Sequence, residues 1–447
     1  VRLLAGGGGA SDCADRPDLE WTVEAWAGDR WEPAAAAAAS GGSLAAALRA
    51  VGRVAADVEP VGRWPRDGDV ENAGALKEED ELPIGASAVS GLLGYHLTQW
   101  TEPLALAQAP EPGGLLGVLY RVDRWVIHDR HLGVLWLRAP PGDVWAASAQ
   151  AQLREALPTL RPAALPEPPE PARGPGPRSS ISDEEHANVV RLVQDAIEGG
   201  FLYQLNFARQ WTGQLREAPW ELMRRLFADN PAPFSAFLHA PDERLALCSS
   251  SPESLLSVRG GVATTSPIKG TCPRGGDAAE DAALRAEMAA SRKEVAEHLM
   301  LVDLMRHDLG QVCDPGSVLW ERWRVETFPA VQHMVSLVRG RLRDDADSWE
   351  ALGVLFPGGS VTGCPKTVTI AAIEELESCS RGFWTGSMGY VDLDRGDSQW
   401  SILIRTLEAR RCGENGSTTW TAEVKAGGGL TIASDPAAEV EEAKLKA

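Results

Sequence analysis

Arg244 to Gly275 reads RLALCSSSPESLLSVRGGVATTSPIKGTCPRG, a series of short runs of small, β-branched and aliphatic residues broken by Ser-Pro-Glu, Arg-Gly-Gly and Ser-Pro. Apolar runs of four to eight residues bounded by such turn formers have the spacing of consecutive hairpins. The same spacing recurs in GFWTGSMGYVDL (382–393) and QWSILIRTLEARR (399–411), and FLYQLNFARQW (201–211) reads as a further strand. Helical patterns surround Glu294 to Met305 and Val368 to Leu376. Hairpin-linked strands with helices set between them predict an α+β layered sandwich of large, mostly antiparallel sheets, and not a doubly wound parallel sheet.

At 447 residues the chain exceeds the size at which one core usually stops growing, and its 44% hydrophobic and 24% charged residues are those of a globular protein. A net charge of −20 repels phosphate backbones and anionic lipid, which disfavours nucleic acid and membrane as partners. No run reaches the roughly 20 apolar residues that span a bilayer. VRLLAGGGGASDC lacks the layout of a signal peptide, so the expected location is the cytoplasm. Seven cysteines without a C-x-x-C pair fit reduced thiols better than disulfides or a zinc site.

LPEPPEPARGPGPRSS (165–180) has no apolar period and is rich in proline, the composition of a semi-rigid connector. It suggests an N-terminal α+β region over 1–164, a linker over 165–181 and a second domain over 182–447. Ser182 and Glu185 form a capping-box pattern that opens a helix running through Ile197.

Lys269 in SPIKGTCPRG has three possible roles: a solvated charge, a phosphate holder or a nucleophile. FPGGSVTGCPKT (356–367) nearly spells a phosphate-binding loop, but Cys364 and Pro365 separate Gly363 from Lys366. That leaves a tight turn, with or without an anion site at the following helix. Glu294 and Glu297 stand three apart on one helix, and Glu439 and Glu442 repeat the spacing behind an Asp435-Pro436 start. Each pair shares a face. Alone such a pair is an ordinary solvated surface; four converging carboxylates would need a cation, and hard oxygen donors suit Mg²⁺. Arg405, read as projecting from a strand, and the Gly427 to Gly429 run could clamp a carboxylate.

In their order, GFLYQLNFARQ, SSSPESLL, SPIKGTCPRG, RKEVAEHLMLVDLMRHDLG, VETFPAVQHMVSLV, FPGGSVTGCPK, RGFWTGSMGY, ILIRTL and AGGGLTIASDPAAEVEEA resemble the chorismate-utilising enzymes from about Ser182 onward, with a weaker echo at GLLGYHL. Isochorismate and salicylate synthases carry a water-activating lysine where this chain has Gln204, and anthranilate synthases usually have alanine where it has Lys269. The resemblance is therefore greatest to the branch of aminodeoxychorismate synthase component I, with anthranilate synthase component I as the rival and a noncatalytic chorismate-binding subunit as a reading of another class.

The resemblance implies that Lys269 attacks C2 of chorismate while the C4 hydroxyl leaves, and that ammonia then enters at C4. It casts Glu253 as general acid and has His333 orient the ring beside Gly270 and Thr271. Ser360, Tyr390, Arg405, Gly428 and Lys446 would bind the enolpyruvyl carboxylate. Glu297 and Glu442 would hold Mg²⁺, with Glu294 and Glu439 on its waters. A lysine nucleophile of ordinary pKa, about 10.4, gives up its proton at pH 7 at a cost of about 4.6 kcal/mol, so the chemistry needs burial or a nearby cation. Departures from the family pattern fall at Cys272, Cys364, His307 and the SQWS before Ile402, and none removes an assigned group. No Gly-x-Cys-x-Gly elbow is present, which implies a separate glutaminase subunit as the ammonia source. No lyase domain is read after the last helix, so formation of 4-aminobenzoate, the folate precursor, is expected to need another protein.

Overall fold

The computed structural model describes residues 2–5, 21–26, 31–33, 44–45 and 48–49, most of 85–159, and 176–447 apart from 328–330 and 413–418. These residues form the expected α+β sandwich. Among them, one sheet has twelve strands and a second has seven, and the strand pairs are antiparallel. A separate two-stranded hairpin joins Trp125–Asp129 to Val134–Arg138.

The larger sheet starts at Ile268–Pro273 and runs through Val331–Arg341, Val262–Thr265, Ser254–Arg259, Ser398–Ile402 and Ser387–Asp392. It then continues into strands from the first part of the chain. Ser387–Asp392 pairs with Ala88–Leu93, from Ser387 opposite Leu93 to Asp392 opposite Ala88. The proline-rich stretch thus separates the chain in sequence but not in the sheet. Most of that stretch lies outside the described residues, and its end, Arg178–Ser179, is itself a short strand beside Thr212 and Trp211.

The smaller sheet is ordered Phe234–Ala240, Leu245–Ser251, Thr406–Arg411, Trp420–Leu430, Gln204–Leu215 and Gly363–Cys364. Leu245–Ser251 is buried at every position, which its small and aliphatic side chains allow between two covered faces. The helix Asp183–Glu198 starts as read: the Ser182 side chain accepts from the Glu185 N–H, and Glu185 accepts from the Ser182 N–H at 2.7 Å. Behind the larger sheet, Trp400 and Trp349 pack with ring centroids 6.1 Å apart among Leu352, Leu355 and Phe356.

At two points the chain passes from one sheet to the other with no helix between. Leu245–Ser251 leads through Pro252 and Glu253 into Ser254–Arg259, and Ser398–Ile402 leads through Arg405 into Thr406–Arg411. The two crossings are tied together, because the Ile402 N–H donates to the Glu253 carbonyl at 3.1 Å and the Ser250 N–H to the Arg405 carbonyl at 3.0 Å. Arg405 is therefore not on a strand. It has a left-handed backbone, φ 52°, which costs a non-glycine residue about 1–3 kcal/mol and recurs at functional sites.

Candidate active site

A cavity of about 450 Å³ opens where the crossings meet the helices Arg292–Gly310 and Pro436–Lys446. Its walls carry Glu253, Lys269, Gly270, His333, Ser360, Arg405, Gly428, Lys446 and all four glutamates, Glu294, Glu297, Glu439 and Glu442. Residues spread over some 190 positions of sequence are thus brought to one space.

Lys269 reaches it because Gly270, at φ 81°, shifts the register of Ile268–Pro273 against Val331–Arg341 between Lys269 and Thr271. A bulge of this kind re-aims the neighbouring side chain. Lys269 Nζ lies 3.1 Å from Glu297 Oε2, both largely buried. Thr271 follows on the same strand opposite His333, and its side chain lies outside the described residues.

Glu253 is 5% exposed. Burial pushes its carboxyl up to about 7, opposed by hydrogen bonds from Ser360 and the Ile268 backbone and by the charge of Lys269. At neutral pH it can hold a proton to give away. Burial lowers the His333 imidazole from its ordinary value, against a hydrogen bond with the Gly270 backbone, which keeps the ring neutral. Burial also lowers Arg405, with Glu442 opposing, yet a guanidinium remains charged and able to hold a carboxylate.

The four glutamates share the cavity without closing into a ligand cluster. Among the described residues no three His, Cys, Asp or Glu side chains stand close enough to hold an ion. Glu297 faces Lys269 and the Thr431 hydroxyl at 3.3 Å, Glu439 accepts from the Ser434 hydroxyl at 2.7 Å, and Glu442 pairs with Lys446. The donor set, carboxylate oxygens around a space with room for water, is nevertheless the chemistry that suits Mg²⁺. Gly428 lies against these carboxylates: a methyl group on it would stand 2.9 Å from Glu439 Oε2 and would push that side chain aside.

Tyr390 does not line the cavity. Its strand carries it into the larger sheet, between Ser90 and Gln399, and Trp384 lines the wall instead. Trp384 rests on the guanidinium of the buried Arg381, 5.0 Å from its ring centroid, which is held by Glu377 at 2.7 Å. Asn206 and Lys425 also line the site and were missed. Asn206 follows Gln204 by two residues, so strand alternation could have placed both on one face. Trp384 lies outside any periodic pattern and gave no such signal.

Lys366 belongs elsewhere. Its ammonium pairs with Asp308 at 2.7 Å and donates to the Val354 carbonyl at 3.2 Å, inside the protein, so it holds no phosphate, while Ser360 of the same stretch lines the cavity. Among the described residues the cysteines are free thiols, and no helix is long and apolar enough to cross a membrane.

Residues 50–447 match the chorismate binding enzyme family. The chain belongs to that family. It is 41% identical to aminodeoxychorismate synthase component 1 of Klebsiella aerogenes, over 59% of this chain and 56% of that one. It is 35% identical to anthranilate synthase component 1 of Streptomyces coelicolor, over 81% of this chain and 71% of that one. Its fold superposes on the crystal structure of anthranilate synthase component I from Streptococcus pneumoniae with a TM-score of 0.67 and 28% identity, over 82% and 81% of the two chains. The chain spans about half the length of the curated aminodeoxychorismate synthases it matches from Klebsiella and Streptomyces griseus.

Proposed function

We propose that this chain is the chorismate-aminating component of an aminodeoxychorismate synthase, converting chorismate and ammonia to 4-amino-4-deoxychorismate. The observation that carries the reading is Lys269 Nζ on the wall of the cavity, which it shares with a buried carboxyl held near neutrality at Glu253. Neutral Lys269 attacks C2, the ring electrons shift, and the C4 hydroxyl leaves as water with the proton of Glu253. Ammonia bonds to C4 and returns the C2–Nζ electron pair to the lysine, and the new ammonium restores the proton to Glu253. His333, with Gly270 and Thr271, borders the ring. Arg405, Ser360, Gly428 and Lys446 hold the enolpyruvyl carboxylate, with Trp384 in the place first given to Tyr390.

Glu297 and Glu442, backed by Glu294 and Glu439, are the residues that would hold Mg²⁺, with Glu297 leaving Lys269 and Glu442 leaving Lys446. When bound, the metal would neutralise a substrate carboxylate and disfavour the charged form of Lys269. The ammonia source is a glutaminase, and the product serves 4-aminobenzoate and folate synthesis.

Anthranilate synthase component I remains the alternative, favoured by the larger share of those relatives' own length that is matched, 71% and 73%. Mass spectrometry of the product from chorismate and an ammonium salt, titrated with Mg²⁺, separates the two. An aminated product that keeps its enolpyruvyl group is expected. Release of pyruvate with an aromatic product would overturn the assignment.

A further inference from the structure

Arg381 is 1% exposed and does not line the cavity, but it is bonded to three of the segments that do. Its Nη2 donates to the Asn206 carbonyl at 2.9 Å, in the strand Gln204–Leu215. Its Nη1 donates to the Val361 carbonyl at 2.8 Å, beside Ser360, and to the Thr385 hydroxyl at 3.3 Å, beside Trp384. The other N–H groups go to Glu377, from Nε at 2.9 Å and from Nη2 at 2.7 Å, so all five donors of the guanidinium are used. The rings of Trp384 and Tyr95 lie 5.0 Å and 4.9 Å from its charge.

The segments joined in this way need an outside hold. Thr385 has a left-handed backbone, φ 61°, which a β-branched residue keeps only where its surroundings impose it. Gly359–Thr362 is a single helical turn of four residues, tied to the strand by the Asn206 amide donating to the Ser360 carbonyl at 2.8 Å. An apolar pair could fill the space of Arg381 and Glu377 at no loss of stability, yet it could not bond two carbonyls on different segments. The ion pair is therefore explained by the geometry it fixes.

We infer that Arg381 is the positioning residue that sets Trp384, Ser360 and Asn206 against bound chorismate; this deepens the reading proposed above and rests on it. Ser360 and Trp384 serve the enolpyruvyl side of the substrate in that reading, so loosening the guanidinium shifts the seat of chorismate. Lys269 and the four glutamates come from other elements and keep their places.

The test compares Arg381→Met, the double change Arg381→Met with Glu377→Met, and Arg381→Lys, as full chains, by urea midpoint and by kinetics with chorismate and ammonium chloride at a temperature where each is folded. Arg381→Met should lower the midpoint, because Glu377 is left buried and unpaired, and the double change should recover much of it. Activity should not follow stability. In all three, kcat/KM for chorismate should fall by about tenfold to a hundredfold, the effect of misplacing the substrate, with a smaller change in the KM for ammonium. Arg381→Lys keeps the charge beside Glu377 but has three donors and no planar fork, so it should fold and share the kinetic loss. Wild-type kcat/KM in the double variant or in Arg381→Lys would make the pair a strut alone and overturn the inference. Equal losses toward chorismate and ammonium, or failure of all three variants to fold, would overturn it too. A wild-type chain that consumes no chorismate would instead sink the reaction on which it rests.

Discussion

Two lysines in this molecule follow a proline within two residues and end beside a carboxylate, and they differ in everything else. Lys366 meets Asp308 at 2.7 Å with the two side chains 7% and 5% exposed, and a backbone carbonyl completes its shell. Lys269 meets Glu297 at 3.1 Å with exposures of 20% and 10%, on the wall of a cavity. The first pair is enclosed and satisfied, so its charge has nowhere to go and its value is structural. The second is more exposed and opens onto the cavity, so it is not enclosed in the same way. An ammonium in a buried pair is a strut or a reagent according to whether its partner can leave.

The sharpest way to break this contrast is to remove each nitrogen. Lys269→Ala should lower amination by roughly a thousandfold, as loss of a nucleophile does, and wild-type chain trapped with chorismate without ammonia should carry an adduct at that residue. Its stability should change by less than about 1 kcal/mol, because Glu297 keeps the Thr431 hydroxyl. Peptide mapping that finds no adduct, together with normal turnover by the variant, would make Lys269 another strut. Lys366→Met should do the reverse: a loss of about 3–5 kcal/mol in urea unfolding, because Asp308 is left buried and unpaired. The double change Lys366→Met with Asp308→Leu should recover most of it. If the single variant is as stable as wild type, the pair is not a strut.

Glu253 sharpens the comparison at a smaller scale. Its carboxyl titrates at about 7 when folded and near 4.5 when unfolded, so its contribution is fully present below 4.5 and is lost as pH rises through about 7. The loss amounts to roughly 3 kcal/mol. Glu253→Gln has no such proton, so its stability relative to wild type should climb between pH 4.5 and 7 and level off above. Parallel pH profiles for the two proteins would show that burial does not hold the proton there.

Much of the fold was legible because hairpins and caps are local. Ser182 and Glu185 mark a helix start within four residues, and runs such as LALCSSS and SLLSVR declare strands within seven. What lay beyond reach was long-range pairing. Nothing near Ala88–Leu93 says that its neighbour is Ser387–Asp392, so the proline-rich stretch looked like a boundary between structures that share a sheet. The site divides in the same way. The glutamate spacings and Lys269 were visible as patterns, while Trp384, which enters from a turn braced by Arg381, has neither period nor motif. Tyr390 was placed by resemblance alone, and its strand carries it away.

The crossings at Glu253 and Arg405 lace the two sheets at one point, through the Ile402 to Glu253 and Ser250 to Arg405 bonds. Each of the two residues is tied by a backbone hydrogen bond to the strand that leads to the other, so the spacing of Glu253 and Arg405 is set by a single junction between the sheets.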